Sequence, residues 1–216
     1  MNKNIHQLWI GSELPSGLAR CVQAWRDMHP DWEHRLWTEK DLAKLRTPYD
    51  DLIARAAEYV PEDAVYQFKS DLYRWVILRE YGGLWADTDT WPLKPVDGLI
   101  TNKAVFGWEI QDKWVGTSTF YIDRGHPLLD QIIEHVTRLV IESTPPTRPN
   151  RLTGPKAISA VVRPSGAKIL DEKVWFPVRW DDPLAADGDH GPETYVVHAW
   201  GHQRELRGLP VPGDAA

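Results

Sequence analysis

Apolar positions along the chain change period several times, and each change predicts an element. Residues 4–10 (NIHQLWI) read as a short opening strand, ended by Gly11 and a Pro-containing loop. Leu18, Val22 and Trp25 recur at helical spacing and predict a helix over 16–28, which His29-Pro30-Asp31 breaks. Residues 33–37 (EHRLW) predict a second strand. A helix begins after Thr38, where Asp41 three residues on resembles a capping arrangement, and another covers 50–59, up to Pro61. The strongest periodicity runs from about Ala64 to Tyr81, where Val65, Phe68, Leu72, Trp75, Val76 and Arg79 trace one helical stripe. Gly82-Gly83 follows at once, as a left-handed C-cap requires. Leu84-Trp85-Ala86 then reads as a short buried strand that releases into Asp87-Thr88-Asp89 and runs on to Thr90-Trp91-Pro92.

Farther along, 104–110 (AVFGWEI) and 114–122 (WVGTSTFYI) predict two strands. A helix over 127–142 follows His126, with Pro127 at a tolerated first-turn position. The stretch 143–152 (STPPTRPNRL) reads as a Pro-rich irregular loop, and Thr153-Gly154-Pro155 opens a helix to about Val162. Short strands are expected near 167–170, 174–177 and 195–198, and 201–216 as a loosely held tail. With no internal repeat and no composition break, residues 1–200 are expected to form a single domain. Strands alternating with helices predict an α/β fold with a mixed central sheet.

Composition narrows the function classes. A chain of 216 residues with 42% hydrophobic side chains can bury its own core, so disorder is excluded as the ground state. The 25 basic and 31 acidic residues give a net charge of −6, which argues against a broad nucleic-acid surface while leaving room for one local basic pocket. Cys21 is the single cysteine and cannot form an intrachain disulfide, which fits a reducing compartment. No run approaches the roughly 20 apolar residues of a membrane span, and the N-terminal stretch does not read as a signal peptide. The expected location is therefore the cytoplasm, with or without peripheral attachment to the inner face of the membrane. The chain also holds 12 tryptophans, a residue that fills cores but equally stacks on bases and covers sugar faces.

Candidate chemistry gathers where the strand after Gly83 ends. Asp87 and Asp89 sit one residue apart at a strand end, where both can approach one hard cation such as Mn²⁺ or Mg²⁺. Open α/β sheets bind ligands outside the carboxyl ends of their strands, which is where this pair falls. A second copy, Asp187-Gly188-Asp189, lies in a Gly/Pro loop with no strand leading into it and reads as solvated surface. Asp71 and Arg74, three apart on the long helix, read either as a surface ion pair or as a guanidinium placed for phosphate. His198, after the apolar run Tyr195-Val196-Val197, is either a structural histidine or a third ligand. Trp9 is either core or a stacking platform for a base.

These pieces, in this order, resemble glycosyltransferase family 32, the DXD sugar transferases. Ile5-His6-Gln7-Leu8-Trp9-Ile10-Gly11 is similar to the family's opening strand, and Pro30-Asp31-Trp32-Glu33 through Leu36-Trp37 to its second. Most specific are Lys69-Ser70-Asp71-Leu72-Tyr73-Arg74, Ile77-Leu78 and Tyr81-Gly82-Gly83-Leu84-Trp85-Ala86-Asp87-Thr88-Asp89. Gly125-His126-Pro127, Thr153-Gly154-Pro155 and His198-Ala199-Trp200 resemble later landmarks, so the likeness runs from residue 5 to about residue 200.

The resemblance implies a GT-A fold and a metal-dependent, retaining transferase that uses a nucleotide-sugar donor, related to the glucosylating toxin domains. It implies that Asp71, Arg74 and Asp89 serve catalysis. Donor binding would fall to Trp9, Asp71, Arg74, Asp87, Thr153, Gly154 and Trp200. Mn²⁺ or Mg²⁺ would be held by Asp87, Asp89 and His198. A UDP-sugar is the favoured donor and GDP-mannose the other option; the acceptor class is a glycan, a lipid-linked sugar or a protein. The chain departs from the family around Val115-Gly116-Thr117-Ser118, where members often carry Asn. Its shortness places it with the soluble bacterial or phage-type branch, without a membrane anchor. A double displacement would need a carboxylate near the anomeric carbon, and Glu109 is the candidate. Two other classes compete: a metal-dependent nucleotidyltransferase, which lacks support from any Walker-type loop, and a carbohydrate- or nucleotide-sugar-binding protein without turnover.

Overall fold

The structure is a computed structural model and describes residues 1–179 and 190–199. Strand β1 (Asn4–Leu8) leads to helix α1 (Ser16–Met28) and strand β2 (Glu33–Trp37). Short helices α2 (Glu39–Leu42), α3 (Asp50–Ala54) and α4 (Ala56–Tyr59) precede the long helix α5 (Val65–Tyr81). Strands β3 (Gly83–Ala86), β4 (Thr90–Pro92), β5 (Ala104–Ile110), β6 (Trp114–Val115) and β7 (Thr119–Ile122) follow. Helices α6 (Pro127–Glu142), α7 (Pro149–Leu152) and α8 (Pro155–Val162), strand β8 (Lys168–Leu170), helix α9 (Glu172–Trp175) and strand β9 (Val196–His198) complete the order.

The central sheet runs β2-β1-β3-β7-β5-β6, with β8 beside β5, and β4 pairs with β9 in a separate two-stranded sheet. β1 is parallel to β2 and β3, β7 is antiparallel to both β3 and β5, and β8 is parallel to β5. The sheet is mixed, as expected. Its polarity has one consequence for chemistry: β1, β2, β3, β5 and β8 all release their carboxyl ends at the same edge.

Helix α5 fills the core. Trp75, Val76, Ile77 and Leu78 are buried in succession, so this part of the helix has no solvent side. The Trp75 ring lies 5.1 Å from Phe120 of β7, whose ring stacks at 5.0 Å on Phe106 of β5. The expected stripe holds except at its last member: Arg79 is exposed and pairs with Asp130. Beyond Tyr81 the chain reverses through two glycines that no other residue could replace. Gly82 has φ +63° and Gly83 φ +122°; a Cβ would stand 2.2 Å from the Arg124 nitrogen at the first and 2.4 Å from the Asn4 carbonyl oxygen at the second.

Several expected elements differ in extent or type. β1 stops at Leu8, although Trp9 still donates its N–H to the Trp37 carbonyl at 3.1 Å. The helix expected over 50–59 is two short helices meeting at Arg55, and the strand expected over 114–122 is split into β6 and β7. The Pro-rich stretch 143–152 is not irregular throughout, because Pro149 starts α7 at a position where its missing N–H costs nothing. Residues 174–177 are not a strand: Asp171 accepts the Lys173 N–H and caps helix α9, which reaches Trp175. The Thr38–Asp41 cap is as expected, with the Asp41 carboxylate accepting the Thr38 N–H at 3.1 Å. The tail 201–216, the Asp187-Gly188-Asp189 loop and Trp200 lie outside the described residues.

Candidate active site

Two ruler lengths bring the helix and the DXD loop together. Arg74 lies eight residues before Gly82, roughly 12 Å back along α5 at 1.5 Å per residue. Asp87 lies four residues after Gly83, roughly 13 Å along the strand at 3.3 Å per residue. Because the Gly-Gly turn reverses the chain, the two side chains arrive level with each other. Arg74 Nη2 donates to Asp87 Oδ1 at 3.0 Å and Nη1 to Asp71 Oδ1 at 2.9 Å. Arg74 and Asp71 are both buried, with side chains 4% and 6% exposed. The surface ion-pair reading is therefore wrong: these are desolvated charges at the core side of the sheet edge.

Each carboxylate is held from more than one direction. Thr153 Oγ1, fully buried, donates to Asp71 Oδ2 at 2.6 Å, so its own place is behind Asp71. Gly154 follows as the N-cap of α8, packed so that a Cβ would stand 2.9 Å from Asn150 Cα. Trp85 Nε1 donates to Asp87 Oδ1 at 2.6 Å, and the Arg74 guanidinium lies over the Trp85 ring at 5.1 Å. The Asp87 backbone is fixed as well: its N–H reaches Ser118 O at 2.7 Å, and its carbonyl accepts from Thr90 Oγ1 and Gln7 Nε2. These bonds all occupy Oδ1 or the main chain of Asp87, which leaves Oδ2 for another partner.

Asp89 faces β9. His198 Nε2 meets Asp89 Oδ1 at 3.1 Å, and the Ala199 N–H donates to the Asp89 carbonyl at 2.8 Å. One ligand atom from each of Asp87, Asp89 and His198 lies within 4.8 Å of the others, a spacing and donor set that fit a hard divalent cation. Burial holds both Asp71 and Asp87 above the ordinary carboxylate range on balance, and the Arg74 charge offsets only part of that rise. A bound dication would pull in the same direction as Arg74. Burial alone would lower the His198 pKa, but Asp89, then Asp87 and Glu109, raise it on balance.

The structure thus brings Asp71, Arg74, Asp87, Asp89, Thr153 and His198 into one group, with Gly154 adjoining. Trp9 stands apart from them at the end of β1, half buried, its Nε1 donating to Ser12 O at 3.0 Å. Two contributors carried no sequence expectation: Trp85 and Gln7. Strand alternation was the available signal for Trp85, because residues two apart in β3 and its extension share a face. Several polar atoms near the site have no partner among the described residues, including Arg74 Nε and Ser118 Oγ. Buried donors of this kind are normally matched, so they point to a ligand that supplies acceptors.

Known proteins of similar sequence and fold agree with this geometry. Residues 15–106 match the family model described as glycosyltransferase sugar-binding region containing DXD motif. The chain is 26% identical over 204 residues to inositol phosphoceramide mannosyltransferase 3 of Schizosaccharomyces pombe, covering 92% of this chain and 55% of that protein. It is 28% identical over 170 residues to the initiation-specific alpha-1,6-mannosyltransferase of Candida albicans, covering 64% and 43%. The chain therefore spans about half the length of the curated relatives it matches. The PaToxG glycosyltransferase structure superposes with a TM-score of 0.58 at 14% identity, over 76% of this chain and 68% of that one. A glycosyltransferase involved in the glycosylation of the major capsid of PBCV-1 gives 0.50 at 12% identity, over 95% and 98%. The fold is GT-A, and residues 15–106 with their DXD motif are similar to the DXD-containing glycosyltransferase family.

Proposed function

We propose that this protein is a divalent-metal-dependent, retaining glycosyltransferase that moves a hexose from a nucleotide-sugar donor to a hydroxyl of a glycan, lipid-linked sugar or protein. One observation carries the reading: the Asp87–Asp89–His198 group stands beside a buried Arg74 that already bridges Asp71 and Asp87. Departure of a nucleoside diphosphate builds negative charge on its terminal phosphate. A dication held by Asp87 and Asp89 would neutralise that charge, and Arg74 Nε, which lacks a partner among the described residues, is a donor for the same oxygens or for the sugar. Asp71, locked by Arg74 and Thr153, is the carboxylate to accept hydroxyls of the transferred sugar.

Retention by attack from the leaving-group face asks for positioning more than for a strong base, which suits a site built of fixed pairs. The base of the donor would stack on Trp9 at the end of β1. The named relatives are mannosyltransferases, which favours a mannosyl donor over the UDP-glucose type; a UDP-bound neighbour, the glycosyltransferase domain of the YGT toxin, keeps uridine donors in the test. No described helix is long and apolar enough to cross a membrane.

The test is nucleoside diphosphate release from a panel of UDP- and GDP-sugars, with Mn²⁺ and with chelator. Release from one donor that chelation stops is the expected result. Donor binding without release, unaffected by chelator, would instead support the sugar-binding reading.

A further inference from the structure

Glu109 has no task in the reading above, yet the fold delivers it to the site. β5 runs parallel to β3, since each is antiparallel to β7 between them. Its carboxyl end, where Glu109 lies, therefore emerges at the sheet edge that carries Asp87. There the register slips: Trp108 faces Val115 and Ile110 faces Trp114, which leaves Glu109 as the extra residue of a β-bulge. Bulges re-aim side chains at sheet rims. The strand leading into the bulge lies against the site's far wall, because Gly107 meets the Trp175 and Phe176 rings and Phe176 packs edge-on to His198 at 6.3 Å.

The electrostatics agree with that placement. The charges of His198 and Asp87 both act on Glu109, and burial pushes its carboxyl up to about 7. Among the described residues Glu109 accepts no hydrogen bond and forms no ion pair. It also stays outside the tight group formed by Asp87, Asp89 and His198, so cation binding does not account for it. Glu109 is half-buried and opens from the bulge toward solvent, so its carboxylate keeps acceptor sites that a ligand's donors can fill. Sugar hydroxyls are such donors. On the reading above the nucleotide extends toward Trp9 and β1, while Glu109 lies on the opposite flank of β3, beyond β7. The hydroxyls it meets there belong to the acceptor.

We infer that Glu109 is an acceptor-binding residue whose carboxylate accepts hydrogen bonds from hydroxyls of a polyol acceptor and sets the attacking hydroxyl against the donor sugar. This rests on the transferase reading. The experiment compares the wild-type protein with Glu109→Gln, Glu109→Ala and Glu109→Asp in Mn²⁺. It measures transfer to methyl α-mannoside, chosen for the mannosyltransferase relatives, alongside nucleoside diphosphate release without acceptor. The ratio of transfer to release should fall roughly tenfold or more in the Ala variant, the effect of losing a hydrogen bond to a charged group. The Gln variant should fall less, the Asp variant should recover part of the ratio, and the loss should fall on the acceptor KM. An unchanged ratio overturns the assignment, and equal loss of both reactions at an unchanged acceptor KM would move Glu109 to the donor side as a nucleophile. Absence of release by the wild-type protein from every donor would overturn the transferase reading itself.

Discussion

Two groups of ionisable side chains lie against the central sheet, and they are built to opposite rules. On the β1–β2 side, three histidines act as neutral bridges with both ring nitrogens matched. His6 Nε2 donates to Gly82 O at 3.0 Å while Nδ1 accepts from Trp37 Nε1 at 3.2 Å. His29 Nδ1 donates to Trp25 O and Nε2 accepts the Val96 N–H; His34 Nε2 donates to Gln7 Oε1 and Nδ1 accepts from Arg26 Nε. Each ring needs one neutral tautomer, and burial lowers all three pKa values, to about 4 for His6 and His34. At the carboxyl end of β3 the logic inverts. Asp71, Asp87, Asp89, Arg74, Glu109 and His198 place charges side by side, some with unused bonding capacity. The first group fastens the sheet; the second holds charge ready for something absent from the chain itself. On the proposed function, the difference separates a polar cluster that serves folding from one that serves chemistry.

The sharpest way to break this comparison is Asp89→Ala. Turnover should fall by roughly 10²–10³-fold, the range seen when one stabiliser of transition-state charge is removed. The folded state should survive, and Mn²⁺, which should raise the melting temperature of the wild type, should leave the variant unmoved. Wild-type rates in that variant would return the DXD pair to the class of turn carboxylates.

Arg74→Lys comes next. Lysine has one ammonium and cannot span Asp71 and Asp87 as the planar fork does, so turnover should drop at least tenfold with the fold retained. Arg74→Met goes further, because it strands buried carboxylates, and should lower stability by about 3–5 kcal/mol in urea unfolding. Equal stability of the two variants would show that the pair is less desolvated than its geometry implies.

The smallest effect tests the histidine side. As pH falls below about 6.5, the unfolded chain takes up protons on these histidines, while in the folded chain His6 and His34 refuse them until about 4 and His29 resists in the same direction. Their stabilisation is thus complete above pH 6.5 and lost on the way down to 4, with at most about 3 kcal/mol from His6, which is buried. Urea midpoints at pH 7.5 and 5.0 report it. Replacing His6 by Gln, which also donates and accepts, should flatten part of that slope; an unaltered slope would remove His6 from the account.

Much of this was legible in the chain. The α5 stripe, the Gly-Gly stop and the Asp87-Thr88-Asp89 release are local patterns, and they placed the core helix and the strand end before Asp87 correctly. What escaped depended on partners distant in sequence. Nothing near Asp71 and Arg74 announces that Thr153, 82 residues away, will close over the pair and bury it. Residues 174–177 are apolar and short, so period alone could not separate strand from helix, and the Asp171 cap decided it. The bulge at Glu109 depends on a two-residue strand opposite, β6, which is too brief to leave a pattern of its own. The tryptophans divided the same way: Trp25, Trp37, Trp75, Trp85 and Trp175 are fully enclosed, while Trp91 is exposed, and composition could not sort them.

The turn at Gly82-Gly83 sets a limit on how this molecule can change. The 13-residue interval from Arg74 to Asp87 works as a gauge block, with helix and strand cut to matching lengths on either side of a fold that admits no Cβ. One residue added to α5 would rotate Arg74 by about 100° and carry it off the site, and one added to β3 would turn Asp87 to the opposite face. Loops elsewhere can lengthen and drift to suit new acceptors, whereas this interval can be inherited only whole. A designer grafting the chemistry onto another scaffold would have to move helix, turn and strand as one cassette.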